Sequence, residues 1–309
     1  MTLKCTNNIP NDFPLKYLED AILNSVKRIS PEKQDEISLS DYSVEFSNVE
    51  QFGFYTDTKN KIIYLPIKSL HYLWAISYIS LSIHYKYVRA QEKSDKENLN
   101  ESDLIFEISL LTLFERYFKN ECGECEIGRE FIKLSDCNSR LDINEQDINN
   151  DAGEIFLCAM AWIILHEIGH IVSGHQNEEL SNSRQEELQA DEFATKYILH
   201  DNIKDDENGS SIDKKNKRTL GIILAITAIL FKDIKDNGGD RSHPNAHERM
   251  WGVLDNIEKD NEKLVCLLFP MLLLFYYSKH NKVLTICENE ENYIDFVSQA
   301  LIALVRMEN

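Results

Sequence analysis

Apolar side chains recur at spacings of three and four along much of the chain, and each such stretch predicts a helix. In residues 14–29 (PLKYLEDAILNSVKRI) the positions are Leu15, Leu18, Ile22, Val26 and Ile29, which predicts an amphipathic helix closed by Pro31. The period then changes. Residues 42–46 (YSVEF), 51–56 (QFGFYT) and 61–66 (KIIYLP) are short β-branched and aromatic runs separated by the turn-forming SNVE and DTKN, and they predict a small antiparallel sheet. Residues 69–90 are apolar nearly all round, as a buried helix is, and their aromatics read as core.

Residues 91–103 (QEKSDKENLNESD) are polar and without period, a linker or surface loop. Helical spacing returns over 104–118. Residues 120–150 are acidic and irregular, with Cys122 and Cys125 in a CxxC and Cys137 further on. Three thiols fall short of the four a structural zinc site wants, so reduced loop cysteines are expected. Residues 151–175 (DAGEIFLCAMAWIILHEIGHIVSGH) predict one long buried helix, capped by Asp151 with Glu154 reaching back, and ended by Gly174. A second capping signature, Ser183 with Glu186, opens a helix over 183–199. The polar stretch 201–218, including KKNKR at 214–218, reads as a solvated loop before an apolar helix over 221–231.

Composition narrows the class. The chain has 309 residues, 43% of them hydrophobic, enough for a substantial core, and a formal net charge of −19 that disfavours a nucleic-acid partner. The N-terminal MTLKCTNNIPNDF has no apolar signal region, and the seven cysteines are scattered, so a reducing cytoplasm is expected. The apolar runs 221–231 and 264–277 are shorter than the roughly 18 residues a membrane span needs. We expect a single globular unit over 1–309, with the N-terminal helix, sheet and buried helix in 1–100 and a catalytic core in 101–309.

That core is expected around HExxH. His166 and His170 are four apart on the predicted helix, so their side chains stack one turn apart, about 5–6 Å, and can ligate one metal ion. Glu167 lies on a neighbouring row, where a carboxylate reaches water at the metal as a general base. A third ligand is expected from 183–199: Glu187 with Asp191 one turn on to orient a ligating histidine, or Glu186, whose neighbour one turn on is only Ala190. Pro244 keeps His243 extended beside a helix start, suited either to stabilise an oxyanion or to cap and pack. His175, His200 and His247 are read as structural, because HExxHxxGxxH is not met: Ser173 and Gln176 stand at the spacer's key places.

HEIGH at 166–170, ELQAD at 187–191 and HPNAHER at 243–249 together resemble the gluzincin metallopeptidases of the HtpX type, which carry HExxH, ExxAD and HPxxxxR in this order. EIFLCAMAWIILHEIGH, RQEELQADEFATKYIL, HPNAHERM and SLHYLWAIS are similar to the Lit-type phage-exclusion peptidases, from about residue 62 to residue 256. The expected fold is a predominantly helical α+β protein with a zincin-like core and the small antiparallel sheet, whose edge strand would hold extended substrate. The resemblance implies Zn²⁺ on His166, His170 and Glu187 with Glu167 as base, and Asp191 and Arg249 are expected to support the ligands from outside. It further implies a cytoplasmic endopeptidase without membrane spans that cleaves elongation factor Tu when a phage-derived peptide is present. Another regulated peptidase target, or a non-catalytic metal-stabilised interaction protein, are the alternatives.

Overall fold

Two alternating runs at the heart of the sheet set the core. In β2 (Ser43–Ser47) and β4 (Ile62–Pro66), Val44, Phe46, Ile63 and Leu65 are all buried, and the register pairs Val44 with Ile63 and Phe46 with Leu65. These positions therefore form one continuous apolar face. The computed structural model describes residues 3–7, 15–33, 35–48, 53–92, 104–118, 145–175, 183–199 and 214–235, together with Arg249. Among these, β1 (Lys4–Asn7) and β3 (Tyr55–Asp57) complete a sheet of order β1-β2-β4-β3.

The expected fold class, α+β and predominantly helical, holds, but the sheet is mixed rather than antiparallel. Only β3 and β4 run antiparallel; β1 with β2 and β2 with β4 are parallel. Alternation reports which face a strand buries and carries no information on strand direction. The antiparallel pair is the one closed by the DTKN turn, where the Asp57 carboxylate accepts hydrogen bonds from the backbone N–H and side-chain amide of Asn60 at 3.0 and 2.7 Å. The predicted N-terminal helix is also divided, into α1 (Glu19–Leu23) and α2 (Ser25–Ile29). Asn24 between them turns its side-chain amide onto the Asp20 carbonyl at 2.7 Å.

The described helices continue with α3 (Ile67–Glu92), α4 (Ile105–Phe118), α5 (Glu145–Val172), α6 (Ser183–Ile198) and α7 (Lys214–Lys235). The chain divides into two units, residues 1–73 with 154–258 and residues 74–153 with 259–309. In the second unit, α3 and α4 are tied by a buried ion pair: Lys86 Nζ is 2.7 Å from Glu107 Oε1, which also accepts the Ser82 hydroxyl at 2.5 Å. Each charge there has a partner, as burial requires.

α5 starts at Glu145, six residues before the predicted cap. Asp151 thus lies inside the helix, accepting a hydrogen bond from the Tyr85 hydroxyl, and Glu154 pairs with Lys217 instead of reaching back. In the first unit Phe156, Ala159, Met160, Trp162, Ile164 and Leu165 are wholly buried. Residues 151–172 are long and apolar enough to cross a membrane by composition, yet 78% of their most apolar window is buried within the protein. α5 is a core helix. Two close approaches position its neighbours: a Cβ on Gly221 of α7 would meet Cys158 Cβ at 2.3 Å, and one on Gly169 would meet the Ala190 Cα of α6 at 3.2 Å. The stretch 214–218, expected as a solvated loop, opens α7 instead. Its Arg218 is buried and donates to the Ile198 carbonyl at 3.0 Å, which satisfies the last turn of α6.

Candidate metal centre

The last two turns of α5 and the first two of α6 face one another, because Gly169 and Ala190 let the backbones come close. That approach carries His166 and His170 on one helix to Glu187 on the other. Among the described residues, these three offer donor atoms within 4.8 Å of one another. His166 Nε2 lies 3.1 Å from His170 Nε2 and 3.3 Å from Glu187 Oε2, and His170 Nε2 lies 3.6 Å from Glu187 Oε1. The structure thus gathers Glu187, not Glu186, with the histidine pair.

The far nitrogens of both rings are held from behind. Asp191, one turn beyond Glu187, places Oδ1 2.9 Å from His166 Nδ1. Arg249 closes on Asp191 with two hydrogen bonds, Nε to Oδ2 at 2.8 Å and Nη2 to Oδ1 at 2.7 Å, and its Nη1 is 3.4 Å from Glu187 Oε2. A fork of this kind fixes a carboxylate in plane and position. The His166 ring is flanked by Trp162, stacked at 5.5 Å between centroids, and the Trp162 indole N–H donates to Thr195 Oγ1 of α6 at 3.0 Å.

His175, read from the sequence as structural, stands against His170. Its Nδ1 is 2.9 Å from His170 Nδ1, and its Nε2 is 3.1 Å from Gln189 Oε1. The signal for it is local: Gly174 at φ +67° ends α5, its N–H bonding the Ile171 carbonyl at 3.2 Å while the His175 N–H bonds the His170 carbonyl at 3.1 Å. These are the paired bonds of a Schellman turn, which folds the residue after the glycine back over the last helical turn. His243, His200, His247 and the cysteines at 122, 125 and 137 lie outside the described residues.

The charges explain what the site asks for. Burial alone would lower the pKa of His166, but hydrogen bonds and charge from Asp191 and Glu187 win and raise it to about 10. Burial and the neighbouring His166 charge push His170 down to about 3. Burial raises the Glu167 carboxyl to about 7 against the pull of His166. Burial would raise Asp191 as well, but Arg249 and His166 hold it below the usual carboxylate range. Without an ion, the protonated His166 supplies the positive charge that Glu187 and His170 Nε2 face. A divalent ion there would replace that Nε2 proton, leaving the Nε2 atoms of both rings and the Glu187 carboxylate as its donors, so the donor set fits a divalent ion.

Two imidazoles and one carboxylate, with a buried glutamate beside them, are an arrangement that could hold an ion next to a base. The chain belongs to the Peptidase U49 family, whose profile matches residues 63–269. It is 28% identical over 311 residues to the cell death peptidase of Escherichia coli (strain K12), covering 95% of this chain and 98% of that one. No solved structure matches the chain. The protein is therefore a peptidase, and the family expectation drawn from its motifs holds.

Proposed function

We propose that the chain is a zinc-dependent endopeptidase of the phage-exclusion type, acting in the cytoplasm. Its proposed substrate is a host translation factor, elongation factor Tu first, and its proposed trigger is a phage-derived peptide. The observation that supports zinc is the convergence of His166, His170 and Glu187 within 4.8 Å. His166, His170 and Glu187 would hold the ion. When bound, zinc supplies Lewis acidity toward the scissile carbonyl and acidifies the attacking water.

The chain's own residues supply the remaining steps. Glu167 is buried, adjoins His166 and is not one of the three converging donors. Its carboxylate takes a proton from the attacking water and returns it to the leaving amine, a role suited by a pKa raised to about 7. Asp191 and Arg249 hold the His166 ring so that only Nε2 faces the reaction. The substrate rests on the similarity to the cell death peptidase together with the motif resemblance: a peptidase of cell death must cut something its cell needs, and a translation factor meets that requirement.

The test is to express the protein in bacteria with and without a phage head-protein peptide and to sequence the new termini of host fragments, with Glu167→Gln as the inactive control. Peptide-dependent fragments of elongation factor Tu, absent in the control, are expected. If that factor stays whole while another protein is cut, the substrate assignment fails and the peptidase remains. Equal cleavage by metal-stripped protein would remove zinc from the account.

A further inference from the structure

We propose that His175 is a positioning residue of the metal site, accepting the Nδ1–H of His170 and thereby turning His170 Nε2 toward the ion. The proposal rests on the reading of His166, His170 and Glu187 as metal ligands. A histidine that ligates through one nitrogen needs its other nitrogen fixed by a hydrogen-bond partner, which sets the tautomer and the ring plane. For His166 the Asp191 carboxylate stands at that nitrogen, with Oδ1 2.9 Å from Nδ1. For His170 the group at its Nδ1 is His175, at 2.9 Å, and the two rings meet nearly edge to face, with centroids 5.1 Å apart and planes at 71°.

The proton directions close on themselves. Nε2 of His170 faces His166 and Glu187, so in a ligand its lone pair is used there and its proton sits on Nδ1. That proton needs an acceptor, which makes His175 Nδ1 the unprotonated nitrogen and places the His175 proton on Nε2. There it finds Gln189 Oε1, an acceptor, at 3.1 Å. A single direction of donation thus runs from His170 through His175 to Gln189. His175 is buried, and the Gly174 turn fixes its backbone, so the acceptor is held in place before any ion arrives. A neutral imidazole is a weaker acceptor than the Asp191 carboxylate, so the two ligands are supported unequally.

Zinc affinity measured by chelator competition on the full-length protein tests this in three forms: wild type, His175→Leu and His175→Asn. Leucine fills the space without an acceptor, whereas the Asn side-chain oxygen falls near the place of the imidazole Nδ1. The leucine variant is expected to lose about 10–100-fold in zinc affinity, the usual effect of removing such a partner, and the asparagine variant to recover most of it. Melting temperatures of the metal-free variants should not track that order, as they would if His175 only packed. Long-range proton–nitrogen spectra of metal-free wild type should show the His170 proton on Nδ1, a readout that survives even if the leucine variant does not fold. Unchanged zinc affinity in His175→Leu, loss in His175→Asn as great as in the leucine variant, or a His170 proton on Nε2 would each overturn the proposal. Failure of wild type itself to bind zinc would instead sink the metal reading beneath it.

Discussion

Arg249 grips both oxygens of Asp191, at 2.8 and 2.7 Å, and through that carboxylate it fixes His166 on a different helix. The pair is buried, so each partner depends on the other for its charge. Lysine carries the charge but not the fork, and cannot hold two carboxylate oxygens while also reaching Glu187. Arg249→Lys should therefore weaken metal binding by about 10–100-fold. Asp191→Asn should act in the same direction, because an amide supports the His166 proton less well than a carboxylate. Competition with a chelator measures both; an Arg249→Lys protein that binds metal like wild type contradicts this account of the fork.

Glu167 has no place among the converging donors, yet it is as buried as His166 and more buried than His170 or Glu187. Removing its charge with Glu167→Gln should leave metal content unchanged and lower kcat by about 10²–10⁴-fold, the usual contribution of a general base. Metal analysis beside turnover on one peptide separates base from ligand. Loss of metal together with activity would make Glu167 a ligand instead.

The pH dependence follows from the same carboxyl. Burial lifts it from 4.5 to about 7 in the metal-free protein, and a bound cation favours the ionised form, so the acid limb of kcat/KM should have its midpoint at or below about 7. Stability moves oppositely. A folded-state pKa above the unfolded value means the Glu167 contribution is fully present below 4.5 and is lost as pH rises through about 7. Metal-free Glu167→Gln should accordingly gain on wild type between pH 5 and pH 8, approaching about 3 kcal/mol in the limit. Melting curves of the two proteins across that range decide it, and a constant gap would show that burial does not tune this group.

What the sequence discloses and what it hides divide along physical lines. His166 and His170 are legible because helical geometry alone puts residues four apart on one face, and Glu187 with Asp191 obey the same rule. His175 escapes, since its contact with His170 comes from a left-handed turn at Gly174 that reads only as a helix stop. Strand direction escapes because β2 and β4 bury the same alternation whether parallel or antiparallel. The early start of α5 escapes too: EQDINN at 145–150 is polar enough to read as loop, although the helix runs through it. Arg218 likewise reads as part of a solvated charge run, and the structure buries it against the end of α6.

Two glycines give the last prediction, because they meet α5 or its partner at different depths. A Cβ at Gly221 would lie 2.3 Å from Cys158 Cβ and 2.8 Å from the Ala159 backbone nitrogen, so α7 must move off α5. Gly221→Ala should cost about 1–3 kcal/mol, the range for overpacking a tight core, and be read as a lower melting temperature. At Gly169 the same Cβ meets Ala190 Cα and Phe193 Cδ1 at 3.2 Å, which a shift of a few tenths of an ångström relieves. That shift carries Glu187 and Asp191 with α6, away from His166 and His170. Gly169→Ala should therefore lose metal affinity and turnover out of proportion to its stability, whereas Gly221→Ala loses stability first. Measuring melting temperature and metal affinity for both variants checks the contrast, and parallel losses in the two would show that the Gly169 contact does not set the spacing of the site.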